Sequence, residues 1–236
     1  MEASQTVTSK VAKPTNPSKA GYVFYGWYTS AETLSSTAYN FDIVVTKDIT
    51  LYAKWVDSVV GYIAYSDGSI SADYDNTKTP IGIVIEATDG TATKIVSLTQ
   101  TSVKWSTEEV VTNATSYTDG AVNMTVIQSI SGWEEKYPAF KWCDDYTDAS
   151  DNSEWYLPAR DELDQLYIVI DAVKAAVEKI TVGGGTATDF KNYYYRSSSE
   201  YSRSHAWNQD FSNGNQLILY IHDKNSALSV RAVRAF

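Results

Sequence analysis

The stretch Trp155-Tyr-Leu-Pro-Ala-Arg-Asp-Glu-Leu163 carries the chain from an extended segment into a helix. Trp155 and Tyr156 suit a strand, and Pro158 suits a first helical turn. Asp161 and Glu162 put negative charge near the positive end of the helix dipole. Beyond them Leu163, Leu166, Ile170, Val173, Val177 and Ile180 recur at alternating spacings of three and four, a stripe of about five turns on one helix face. Gly183-Gly-Gly185 closes the pattern, and Lys174 and Lys179 complement its negative end. The spacing predicts one helix, the main core element. Ala159 offers no side-chain oxygen for a cap, a loss of about 1 kcal/mol unless a neighbour replaces it.

Upstream of this helix the chain alternates strand and turn signals. Gly61 to Ser69, Pro80 to Glu86 and Ala92 to Leu98 read as strands. The run Ile81 to Ile85 is apolar enough for a central strand, and Asp89-Gly90 after it is a turn signal. Thr107 to Ser153 reads as a loop-rich acidic stretch with little periodicity. The first residues form a separate β-rich module, with strands expected around Tyr22 to Tyr28, Phe41 to Val45 and Ile49 to Trp55. We divide the chain into residues 1–56 and 57–236, an α+β organisation.

Composition excludes several functions. The 236 residues carry a net charge of −10, which opposes binding to nucleic acid or to an anionic membrane by the chain as a whole. The charge is uneven: +1 over residues 1–55, −14 over 56–190 and +3 over 191–236. An acidic body therefore carries a mildly basic tail. The single Cys143 leaves no internal disulfide and no CxxC metal site. No run reaches the roughly 18 apolar residues of a membrane helix. Met1-Glu2-Ala3 lacks the basic start and apolar stretch of a signal peptide.

Two resemblances add to this reading. Lys13-Pro-Thr-Asn-Pro-Ser-Lys-Ala-Gly-Tyr-Val-Phe-Tyr-Gly-Trp-Tyr28, closed by Asp48-Ile-Thr-Leu-Tyr-Ala-Lys-Trp55, resembles the internalin-type repeat of bacterial surface proteins over about residues 7–55. That likeness implies a small β-grasp-like spacer and no chemistry. The Trp155 to Leu163 segment resembles its counterpart in the formylglycine-generating-enzyme-type C-type lectin fold. Tyr193-Tyr-Tyr-Arg-Ser-Ser-Ser-Glu-Tyr201, Ala206-Trp-Asn-Gln-Asp-Phe211 and Val230-Arg-Ala-Val-Arg-Ala-Phe236 resemble the terminus of variable proteins made by diversity-generating retroelements, of the Treponema type.

What that family implies is a C-terminal variable region, about residues 193–236, in which fixed residues hold the fold while scattered positions change ligand choice. Ser198-Ser-Glu200, Ala206, Trp207, Phe211, Gly214, Val230 and Arg231 would be the framework. The ligand-binding positions would be Arg196, Arg203, His205, Asn208, Asp210, Asn213, Asn215, Leu217, Leu219, Ile221, His222 and Leu228. Rewriting the adenines of an asparagine codon never yields Lys, Glu, Gln, Met or Trp, and none of these positions holds one of those. The run Leu217 to Ile221 is aliphatic where the family tail is polar and aromatic, and an ordinary buried strand is its alternative reading.

The expected function is therefore a lipoprotein-like, surface-displayed binding protein for diverse protein ligands, exported to the bacterial outer membrane with its leader removed. Membrane contact is expected only through an N-terminal lipid anchor outside the chain. The alternative is a structural or assembly module of the cell surface without a variable site. No enzyme activity, cofactor or nucleic-acid partner is expected. His205 and His222 lack a carboxylate at ligand spacing. Asp144, Asp145, Asp148 and Asp151 lack the spacing and glycine of an EF-hand and read as a solvated loop. Ser197-Ser-Ser-Glu200 reads as turn-forming serines rather than a nucleophile. Arg231 and Arg234 are expected to pair with the acidic body from a final strand.

Overall fold

The computed structural model describes residues 10–31, 38–148, 154–191, 193–218 and 223–236. The chain divides into two units, Met1–Ser58 with Thr88–Gly90, and Val59–Ala87 with Thr91–Phe236. The architecture is mixed α and β with several sheets.

In the first unit, β1 (Tyr22–Tyr28) and β2 (Tyr52–Asp57) pair antiparallel, with a bulge between Phe24 and Gly26. Gly26 there has φ 143, a value that disfavours any side chain. Trp27, Tyr28, Val45 and Leu51 are buried. Phe24 meets Trp27 and Trp55 edge to face at 5.5 and 5.6 Å. Phe41 to Val45 is not a strand: Val44 makes a single bridge to Lys10, and Ile43 and Val44 stay exposed. Asn40 turns the chain there by accepting from the Asp42 amide, which competes with a ladder. Among the described residues of this unit the regular elements are this one strand pair, and residues 1–9 and 32–37 of the expected β-grasp-like module lie outside the described residues.

The second unit holds two five-stranded sheets. Its strands are β3 (Ile63–Tyr65), β4 (Ile70–Ser71), β5 (Pro80–Thr88), β6 (Thr91–Ser97) and β7 (Thr101–Lys104). Helices follow as α1 (Gly120–Gln128), α2 (Trp133–Lys136), α3 (Pro138–Asp144), α4 (Arg160–Ile168) and α5 (Ile170–Val182). The chain closes with β8 (Tyr194–Glu200), β9 (Ala206–Asp210), β10 (Gln216–Leu217), β11 (Ala227–Val230) and β12 (Val233–Ala235). One sheet runs β12-β6-β5-β3-β4, with the Ile81 to Ile85 run central; the other runs β10-β9-β8-β11-β7. Asp89 and Gly90, with φ 50 and 80, make the turn between β5 and β6 that the primed hairpin type requires.

Two strand pairs pass from one sheet to the other. β6 leads into β7 and β11 into β12, while β11 pairs with β7 and β12 with β6. The expected final strand is therefore two strands, broken at Arg231-Ala232. Arg231 is fully buried at this crossover and donates to Ser97 O (2.7 Å), to Gln100 Oε1 (3.2 Å) and to Thr188 O. Its guanidinium lies 3.9 Å from the Phe190 ring centroid. Burial pulls its pKa down to about 10, which leaves it charged at neutral pH. The expected carboxylate partner is replaced by carbonyls here. Arg234, in contrast, pairs with Asp148 at 3.3 Å.

The stretch read as an acidic loop contains three helices. Asp119 caps α1 by accepting from Val122 N, and Pro138 opens α3. Asn123, Met124 and Ile127 of α1 and Ala139, Phe140 and Cys143 of α3 are buried. Trp105 packs edge to face on Phe140 at 5.0 Å and on Tyr137 at 5.8 Å, at the centre of the apolar core. The helix expected as one is two, separated at Val169, whose φ of −100 and ψ of 11 leave the helical range. The break falls in the β-branched run Ile168-Val169-Ile170, which crowds the preceding turn. The buried stripe nevertheless continues from Leu163 through Ile180. Pro158 sits before the cap residue Ala159 rather than inside the first turn. No described helix is long and apolar enough to cross a membrane.

Candidate ligand-binding face

The tail begins with β8. Ser197, Ser198, Ser199 and Glu200 are all buried. Ser198 Oγ accepts from Asn123 Nδ2 at 2.9 Å, and Ser199 Oγ accepts from Arg160 N at 2.9 Å while donating to Ser116 O. Ser199 thus supplies across space the hydroxyl that Ala159 lacks at the start of α4. Glu162 completes the helix start by accepting from Ala159 N at 2.8 Å. Glu200 accepts from the amides of Thr112 and Asn113 at 2.9–3.0 Å, which ties the loop before α1 to the end of β8.

Beyond Glu200 the hairpin turn between β8 and β9 is closed by Tyr201 N and Ser202 N donating to His205 O, both at 3.0 Å. Around it lies a cluster that the sequence reading did not assemble. Trp207 of β9 meets Tyr117 at 6.1 Å and Tyr201 at 5.7 Å, both edge to face. The Arg160 guanidinium lies 4.0 Å from the Tyr117 ring centroid and 5.1 Å from that of Trp207. Tyr117 and Tyr201 are 40% and 50% exposed, so the cluster presents aromatic area to solvent. Val110 and Val111 are exposed in the loop held by Glu200, and Arg203 donates weakly to Glu109 O at 3.4 Å. Tyr117 and Arg160 were hidden from the sequence reading because neither lies in the tail. The alternation of Tyr201 with polar turn residues was the one available signal.

The structure sorts the sequence-chosen positions into separate places. Arg203 and His205 lie in the β8–β9 turn beside the aromatic cluster. Asn213 and Asn215 lie in the β9–β10 turn, at the opposite end of β9, where Asp210 holds Ser212 and Asn213. Leu217 is half-buried on β10, paired with Asn208. Arg196, Asn208, Asp210 and Leu228 are buried. Arg196 donates to Asn208 Oδ1 (3.1 Å), Ser226 O (2.9 Å) and Asp223 O, and burial pulls its pKa down to about 10. The surfaces of these four are spent inside the domain. Leu219, Ile221 and His222 lie outside the described residues.

The remaining candidates separate in the same way. Asp144 accepts from Gln128, Asp145 pairs with Lys141, and Asp148 with Arg234, so the acids do not converge; Asp151 lies outside the described residues. Among the described residues no group of His, Cys, Asp and Glu is placed to hold a metal ion. Cys143 is fully buried, and burial pushes its thiol well above the usual range.

Comparison with known proteins follows this division. Residues 1–54 match the family model of the Listeria-Bacteroides repeat domain, which bears out the repeat resemblance of that segment. A protein of Evansella cellulosilytica, provisionally named a membrane protein, is 35% identical over 74 residues, 31% of this chain and 10% of its own length. The crystal structure of a fimbrial protein from Bacteroides ovatus ATCC 8483 superposes with a TM-score of 0.57 at 16% identity, covering 75% of this chain and 48% of that one. That likeness concerns the fold. The chain spans a tenth of the Evansella protein and about half of the fimbrial chain.

Proposed function

We propose that the chain is a bacterial cell-surface binding protein whose recognition face is the β8–β9 end of the second unit, on a C-type-lectin-type scaffold of the retroelement-diversified kind. The observation that carries this reading is the cluster in which exposed Tyr117 and Tyr201 pack on half-buried Trp207 and Arg160, flanked by Arg203 and His205 and seated on buried serines and Glu200. Tyr and Trp provide contact area at low entropic cost, and a rigid base lets neighbouring side chains change without unfolding the domain. The surface setting is supported by the N-terminal repeat and by the fimbrial neighbour. A protein ligand is the partner expected, because Trp, Tyr and Arg are the side chains that dominate the energetics of protein interfaces. Catalysis has no part in this reading, since chemistry of the formylglycine-generating kind needs reactive thiols and Cys143 is buried.

The fimbrial neighbour favours a second reading, in which the unit is an assembly module without a variable site. Sequencing the flanking DNA and sibling genes distinguishes the two. A template repeat beside a reverse transcriptase, with adenine-directed differences at turn positions such as the exposed Arg203 and the half-buried His205, supports the binding face. Differences spread evenly over the tail, the buried Arg196 and Asn208 included, would sink it.

A further inference from the structure

We propose that the cavity between α1 and the segment Trp155–Tyr156 is a binding site for an organic cation, an ammonium or guanidinium group on a short aliphatic stem. The cavity measures about 600 Å³, enough for a small molecule or one long side chain. It is separated from the aromatic face by the segment Ser116 to Asp119. Tyr117 of that segment joins the aromatic cluster, whereas Thr118 and Asp119 line the cavity.

Its walls are preorganised. The Trp155 indole donates to Asp148 at 3.0 Å, and the Tyr156 hydroxyl donates to Glu162 at 2.8 Å, so both rings are held in place. Met124 supplies apolar surface opposite. At the floor, Glu162 accepts from Lys94 at 2.7 Å, so that pair is neutral as a whole. Glu162 is further satisfied by the amides of Gly120 and Ala159.

The remaining charge is negative. Asp119, Asp144 and Glu154 line the same cavity, and none of the ion pairs found among the described residues includes them. Burial, and then the neighbouring Asp145, push the Asp144 carboxyl above the usual carboxylate range, and the pull of Lys141 and of the Gln128 amide does not offset them. A cation with an aliphatic stem answers both features: its head meets the carboxylates and its stem lies along Met124 and the aromatic rings.

The test is an NMR titration of the full chain with agmatine, with the peptide Gly-Arg-Gly, and with neutral 1-pentanol. Saturable shifts at the amides of Ala121 and Tyr156 and at the Trp155 indole are expected for a cationic probe, and none for pentanol. The double variant Asp144→Asn/Glu154→Gln should weaken binding at least tenfold. Ala121→Trp, an exposed position on the cavity wall, should abolish it. Binding of agmatine alone identifies a free small molecule as the source, and binding of the peptide alone identifies a protein side chain. The absence of saturation by either cation up to about 10 mM, well beyond millimolar affinity, overturns the proposal. So does equal binding of pentanol, or unchanged affinity in the charge variant. None of these outcomes bears on the β8–β9 face.

Discussion

Lys224 donates its ammonium to Glu200 in the interior of the second unit, with side-chain exposures of 0% and 2%. The same ammonium donates to Val110 O at 3.0 Å and lies 4.5 Å from the Trp105 ring centroid. One buried ion pair therefore joins the segment before β11, the end of β8 and the loop before α1. Burial outweighs the attraction of Glu200 and pulls the Lys224 pKa below its ordinary value. Removing one partner of such a pair strands the other charge. Lys224→Met is expected to cost about 3–5 kcal/mol in urea unfolding, and hydrogen exchange should speed at Thr112 and Asn113. Adding Glu200→Gln should recover part of the loss.

Ser199 stands in for the missing cap of α4. Ser199→Ala is expected to lower stability by about 1 kcal/mol, measured by chemical denaturation, with faster exchange of the Arg160 amide. An unchanged midpoint would mean that Glu162 alone suffices at that helix start.

Gly120 opens α1 where the chain passes against the Trp155 to Ala159 segment. A Cβ there would stand 2.3 Å from Leu157 O and 2.9 Å from Ala159 N, both backbone atoms that cannot swing aside. Gly120→Ala should destabilise by about 1–3 kcal/mol, the range for overpacking, and the thermal midpoint should fall accordingly.

Arg231 ties the sheet crossover through carbonyls rather than carboxylates. Lysine lacks the planar fork that reaches Ser97, Gln100 and Thr188 together. Arg231→Lys is expected to cost about 2 kcal/mol or more by denaturant unfolding, although the charge is kept.

Lys94 gives a pH dependence of definite sign. Burial opposes its charge, but Glu162 and then Glu86 outweigh it and hold the folded pKa above 10.5. The folded state thus binds this proton more tightly than the unfolded chain. The stabilisation is fully present below pH 10.5 and is lost as the pH rises through the folded value. The stability difference between the wild type and Lys94→Met should stay flat through the neutral range and shrink only above pH 10.5.

The sequence by itself determined the elements whose signals are local. The apolar run Ile81 to Ile85 and the Asp89-Gly90 turn each specify an element that stands in the structure, and the three-four spacing from Leu163 to Ile180 specifies a continuous buried stripe, although two helices, α4 and α5, carry it rather than one. The helices α1 and α3 escaped because they are short and their apolar residues do not keep to one face: in α1 the exposed Val122 stands beside the buried Asn123, Met124 and Ile127, and α3 is seven residues long. Only the tertiary structure decided which residues of the tail are buried and which lie at the surface. Burial of Arg196, Asn208, Asp210 and Leu228 follows from sheet pairing, which joins residues far apart in the chain. Tyr117, Arg160, Tyr201 and Trp207 become one surface for the same reason: Glu200 holds the Thr112 to Ala114 loop, and Ser199 holds the start of α4. Neither link leaves a trace in spacing, because each is a contact between segments that local pattern cannot bring together.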